Sequence, residues 1–330
     1  MTSRADFLHD GLAVALATVA PGSRRRLRPH FNPPLTSGTA YVVCTETNAI
    51  AVLDLPTGRI VQYVIVGNTP SHIVLDRRLR RAYVSNYIAN SISVIDLMRL
   101  EVVDALDCPN GPSALALDGE RQMLYACSVL DDTVSAIDLA SGRMAGSAIV
   151  GSRPSDLALD PLAQRAYVVN SASGTLSYVD HKRGRLVANT VVAEPAASTI
   201  ALARDLRTAY VSNSGAGTIT VFDLERRRAV STIVGLHEPQ GIAVSNDSAR
   251  LYVAETAANT IAVVDVRGGA VVTRLRGGAS PYVVRANAAG DRLISADSGS
   301  DSVTIFDAKR QRTLRSIGGF GKPRDLALED

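Results

Sequence analysis

At 330 residues and a net charge of +3, the chain is long enough to bury a sizeable core and too nearly neutral to imply a nucleic-acid partner from charge alone. Hydrophobic residues make up 46% of it, yet no apolar run reaches the ~18 residues that a membrane-spanning helix needs. Three cysteines, Cys44, Cys108 and Cys127, lack CxxC or Cys/His spacing, so neither a disulfide framework nor a structural zinc site is indicated.

Residues 1–36 stand apart from the rest as an N-terminal extension. Gly11 to Ala20 is an apolar run of signal-peptide type, but Asp6 and Asp10 cancel the positive charge expected before it, and Pro21 would block cleavage after Ala20. The reading is a short helix from about Arg4 to Val19, ended by Pro21-Gly22 and followed by the Arg-rich linker Arg24-Arg25-Arg26-Leu27-Arg28. That makes the chain cytoplasmic; a secreted or periplasmic location follows if residues 1–20 act as a signal.

Residues 37–330 repeat one unit seven times. The unit opens at Tyr41, Tyr83, Tyr125, Tyr167, Tyr210, Tyr252 and Ile294, and thirteen residues later comes Asp54, Asp96, Asp138, Asp180, Asp223, Asp265 or Asp307. The steps are 42, 42, 42, 43, 42 and 42 residues, and each holds four short β-branched runs separated by turn residues. Strand A is Pro-led, as in Pro70 to Asp76, with Ala197 replacing the proline once; strand B is the Tyr-Val run; strand C ends in Val-x-Asp; strand D is rich in Val and Ile. A period near 42 with four strands is the mark of a propeller blade, whose apolar faces stay exposed until neighbours stack on them.

The two ends of the chain are complementary. Tyr41 has no strand A before it in register, and the last strand A, Pro323 to Leu328, has no B, C or D after it. The expected fold is therefore all-β, a seven-bladed β-propeller of four-stranded blades, closed by the C-terminal strand joining the first blade and so leaving no open edge between blades.

Tyr83-Val84-Ser85-Asn86 and Tyr210-Val211-Ser212-Asn213, with the Pro-x-x-Leu-Ala-Leu-Asp and Val-Ile-Asp-Leu segments, resemble the YVTN-type β-propeller repeat family over residues 39–330. The resemblance implies the fold and leaves the activity open. Proteins of this kind include cell-surface and periplasmic binding proteins, and related seven-bladed propellers include lactonases and streptogramin lyases.

Site residues emerge once everything the repeat explains is removed. The seven aspartates and the asparagines Asn86, Asn170 and Asn213 read as turn and loop closures, and the tyrosines as packing between blades. Two residues after the strand-A proline, the blades carry His72, Ala114, Asp156, Thr199, Gly241, Val283 and Asp325; four after it, Arg285 stands where the others have Val or Ala. An arginine there must reach a carboxylate or solvent. Its blade is followed in the ring by those of Asp325 and His72. The position after the proline adds Gln240, Tyr282 and Arg324, and the loops entering strand A add Arg153, Glu194, His237, Glu238 and Lys322.

Alternating strand direction also sorts charge onto two faces. Glu46, Asp131, Asp132, Glu194, Glu238, Glu255, Asp297 and Asp301 fall with His237 on the D-to-A and B-to-C side, and many arginines, among them Arg77, Arg121, Arg165, Arg226 and Arg310, on the other. The leading expectation is a binding module for a small molecule or peptide at an acidic channel mouth, with Arg285, Asp325, Asp156, Glu238, Tyr282, Gln240, Arg324 and Arg153 as ligand contacts. One alternative is a metal-assisted lyase or lactonase-type enzyme, with His72 or His237 as general base and a divalent cation as candidate cofactor on Asp156, Asp325 or Glu238. Another is a scaffold whose basic face takes a protein or other anionic partner.

Overall fold

The computed structural model describes residues 38–182, 185–192 and 196–329, the stretch 181–192 as backbone only. The N-terminal extension, with its helix, apolar run and Arg-rich linker, lies outside the described residues, as do Glu194 and the side chain of His181. Every regular element of the described part is a β-strand, and among the described residues no helix is long and apolar enough to cross a membrane.

Seven antiparallel sheets of four strands each form the blades. Strand A lies innermost, at Pro70–Asp76, Pro112–Asp118, Pro154–Asp160, Ala197–Leu202, Pro239–Val244 and Pro281–Ala286 for blades 2 to 7. In blade 1 the inner strand is the C-terminal Pro323–Glu329, which pairs with Thr39–Cys44 in the register Tyr41 to Ala327, Val42 to Leu326 and Val43 to Asp325. Ring closure therefore joins the last strand of the chain to its first. The Tyr41 hydroxyl donates to Glu329 Oε2 at 2.7 Å, and Arg80 of blade 2 ion-pairs with the same carboxylate.

The blades share their cores with their neighbours. Leu326 and Leu328 pack with Val42 and Leu53 of their own blade and with Val283, Ile294 and Ile305 of blade 7. The opening tyrosines are all buried, and Tyr41, Tyr83 and Tyr125 each sit in a cluster that spans two blades. The repeat aspartates accept amides of the C-to-D turn, as Asp96 does from Met98 and Arg99 at 2.8 and 3.0 Å. The outer pairing carries a register shift in six blades, while blade 4 pairs Thr175–Lys182 with Arg185–Val192 without one. Such bulges twist an edge strand away from further pairing.

The loop that enters each inner strand makes a sharp reversal. The residue before the strand-A start, Thr69, Gly111, Arg153, Ala196, Glu238, Ser280 or Lys322, has φ between 47° and 66° in every blade, a region that costs a side-chain-bearing residue energy. In five blades its amide is held by a side chain twenty-one residues upstream: Asn48, Asn90, Asp132, Asn259 or Asp301, at 2.7 to 2.9 Å. Between blades 6 and 7 the inner strands approach so closely that a Cβ on Gly241 would lie 2.7 Å from the Val283 Cα, which reserves that position for glycine.

Candidate functional site

The first residue after the start of each inner strand behaves in two ways around the ring. Ser71, Ser113 and Ser155 donate to a carbonyl of the next blade, at 3.3, 3.3 and 2.9 Å, and the Ser198 hydroxyl meets the Gln240 side chain. The other three blades carry Gln240, Tyr282 and Arg324 here. The Arg324 guanidinium lies 3.9 Å from the centre of the Tyr282 ring.

The second residue has a repeat role that the sequence does not reveal. His72 Nδ1, Asp156 Oδ2 and Asp325 Oδ2 each accept the amide of the third residue in the next inner strand, from Leu115, Ile200 and Ile73, at 3.3, 2.9 and 3.1 Å. Each is thus an inter-blade latch. Arg285 joins this layer by donating from Nη2 to Asp325 Oδ1 at 2.8 Å, and His72 Nε2 lies 3.4 Å from Asp325 Oδ2. The three residues from consecutive blades that sequence order aligns are in contact across the seam where the ring closes.

Hydrogen bonding orients the imidazole: Nδ1 accepts the Leu115 amide and Nε2 faces Asp325. Both nitrogens are engaged, so His72 would have to release one contact to act as a base. Asp156 is different. Its oxygens accept from the Ile200 and Leu157 amides, and no cation forms an ion pair with it among the described residues. Burial pushes its carboxyl above the usual range, against the opposing pull of His72, the Ile200 amide, Arg285 and the Leu157 amide.

Two connected cavities result. A narrow throat of about 140 Å³ is lined by His72, Asp156, Thr199, Arg285 and Asp325, and above it a mouth of about 440 Å³ is lined by Arg153, Lys322, Arg324, Tyr87, Val129 and Tyr282. Ser71, Ser113, Ser155, Tyr282 and Arg324 border both. Gln240 lines an adjoining recess with Arg153 and Tyr282.

The mouth is cationic, not acidic as expected. Among the described residues no carboxylate lines it, whereas three side-chain cations do. Glu255 and Asp297 are fully buried at the ends of strand B, where other blades have Asn86, Asn170 and Asn213. Glu255 pairs there with Arg274 at 2.8 Å, and Asp297 accepts from Ser295 and Thr304. Asp132 and Asp301 are occupied by the loop amides of Arg153 and Lys322. His237 and Glu238 are exposed and line neither cavity.

The basic face is also weaker than its arginine count suggests. Arg121, Arg226 and Arg310 pair with the aspartate three residues before them, Arg165 with Asp180, and Arg207 with Glu225. Among the described residues no three His, Cys, Asp or Glu side chains converge as a metal nest, and Asp325 is already taken by Arg285. Burial pushes the Cys44 and Cys108 thiols up to about 12 and raises Cys127 well above its usual value, leaving all three unreactive near neutral pH.

Residues 150–267 match a family model described as "Lactonase, 7-bladed beta-propeller". Among curated proteins no sequence matches. Solved structures similar to this chain include a functionally unknown protein from Desulfotomaculum acetoxidans, 13% identical, covering 88% of this chain and 99% of that one with a TM-score of 0.78. A provisionally assigned 6-phosphogluconolactonase from Bacteroides fragilis is 14% identical over 89% of this chain and 98% of its own, with a TM-score of 0.75. Hydrazine synthase of Kuenenia stuttgartiensis is 18% identical over 76% of this chain and 86% of that chain, with a TM-score of 0.69. At these identities the structural likeness speaks for the fold. The chain is a seven-bladed β-propeller that is similar, over residues 150–267, to the lactonase-type propellers.

Proposed function

We propose that the protein binds a small anionic molecule, a carboxylate or phosphate, at the mouth of the channel. The observation that carries this reading is the set of three cations, Arg153, Lys322 and Arg324, around one concavity with no lining carboxylate among the described residues. None of the three has an ion-pair partner among the described residues, and a volume of about 440 Å³ falls within the range of small-molecule pockets. Tyr282 supplies a flat wall and holds Arg324 in place. The test is thermal unfolding with inorganic phosphate and with citrate. A ligand that binds only the folded state stabilises by about 2.7 kcal/mol at one hundred times its dissociation constant, and that gain should shrink in Arg324→Ala and at high salt. Melting temperatures indifferent to both anions would overturn the reading.

A hydrolytic reading is favoured by one further feature, the raised carboxyl of Asp156 beside Arg285 in the throat. In it Asp156 rather than His72 takes the proton of an attacking water, because both His72 nitrogens are engaged.

A further inference from the structure

Among the described residues the channel's carboxylates lie at its inner level only. Three cations line the mouth, and the throat holds Asp156 and Asp325 with the guanidinium of Arg285, while Arg324 borders both levels. Arg285 is bound to Asp325 and Arg324 lies against the Tyr282 ring, so Asp156 has no ion-pair partner among the described residues. Its two amide contacts orient it but supply no full charge. A carboxylate withdrawn from water in a confined cavity is costly until a cation reaches it.

We infer that the ligand is zwitterionic, with its anionic group among Arg153, Lys322 and Arg324 and a protonated amine against Asp156 in the throat. This rests on the reading of the mouth as an anion site and adds the second pole. The throat, a cavity of about 140 Å³, has room for an ammonium with its adjacent methylenes. Molecules that reach from the mouth cations to Asp156 are amino acids with separated charges. Residues common to both cavities, Tyr282 and Arg324 among them, place the two sites side by side.

The experiment compares three probe series by calorimetry on the full chain: β-alanine, γ-aminobutyrate and ε-aminocaproate; their desamino acids propionate, butyrate and caproate; and the matching alkylamines. One amino acid should bind about ten- to a hundredfold more tightly than its desamino partner, the worth of one charge-assisted contact. Asp156→Asn, which keeps an oxygen for the Ile200 amide, should abolish that ratio while leaving the desamino acid unaffected. Should this variant fail to fold, wild-type protein still decides. Raising the pH past ~10.4, where a lysine-type ammonium loses its proton, should erase the amine-dependent ratio measured against the desamino acid at the same pH. Equal binding of amino and desamino acids overturns the inference and leaves the anion site standing. No binding by either series overturns both.

Discussion

One repeat position is filled in two ways around the inner ring. Ser71, Ser113, Ser155 and Ser198 border the throat and turn their hydroxyls toward the next blade, whereas Gln240, Tyr282 and Arg324 border the cavities with larger side chains. A residue repeated around a ring serves the ring, and a departure from it is free to serve a ligand. The second position blurs this division, because His72, Asp156 and Asp325 depart from the uncharged residues of the other blades and still serve as latches. Polar residues can therefore hold the ring and face the channel together.

The sharpest way to break the comparison is at Asp325, which does most of this double duty. It is almost fully buried and holds Arg285, His72 and the Ile73 amide. Asp325→Ala should cost about 3 kcal/mol in denaturant unfolding, since it orphans a charge and an amide at the closing seam. Adding Arg285→Ala should restore part of that loss, because the double variant has no orphaned guanidinium. Additive costs would show that Arg285 finds its stabilisation elsewhere.

A smaller effect separates latch from lining two residues apart. Ser155 donates to the Ser198 carbonyl, so Ser155→Ala should lose about 1 kcal/mol. Arg153 is exposed, and the contacts that hold it are made by its backbone, so Arg153→Ala should change stability by less than about 0.5 kcal/mol while weakening phosphate binding. Equal destabilisation by the two would erase the distinction between latch and lining.

Much of this was legible in the sequence, for a physical reason. A strict period puts equivalent residues in equivalent surroundings, so Tyr41 and its counterparts, the turn aspartates and the unmatched strand at Pro323 define blades, turns and closure together. The contact of Arg285, Asp325 and His72 followed from ring order, since neighbouring inner strands bring equivalent positions side by side. Their partners were less legible. An amide of the next blade has no residue signature, so the latch role of His72 and Asp156 could not be read. The acidic mouth was misread because assigning a residue to a face does not say where its side chain goes: Asp132 and Asp301 turn to loop amides, and Glu255 and Asp297 turn inward. For the basic face a signal was present. Asp118 to Arg121, Asp223 to Arg226 and Asp307 to Arg310 share one spacing, which pairs each arginine across its turn.

The repeat also contains its own control for the smallest effect, at the end of strand B. Asn86, Asn170 and Asn213 donate from Nδ2 to the hydroxyls five and seven residues on, Ser91 and Ser93, Thr175 and Ser177, Thr218 and Thr220. Asp297 has the same hydroxyl neighbours, Ser302 and Thr304, but accepts from them, and it takes the Ser295 hydroxyl and the Gly278 amide as well. Burial nevertheless raises its carboxyl above the usual range, since those bonds only partly replace the lost water. For an acid whose pKa is higher folded than unfolded, the stabilising contribution is present below the unfolded value and is lost as pH rises through the folded one. At neutral pH the ionised Asp297 is therefore a cost that the asparagine-bearing blades do not have. Asp297→Asn should restore the arrangement of the other blades by reversing the hydroxyl donors, and should stabilise the protein by about 1 kcal/mol at pH ~8. The advantage should fade on titration toward pH ~4, near the unfolded value of an aspartate, where the wild-type carboxyl is protonated. Asp156 titrates in both proteins and cancels from the difference. An advantage that stayed constant with pH would place the effect in packing rather than in the buried charge.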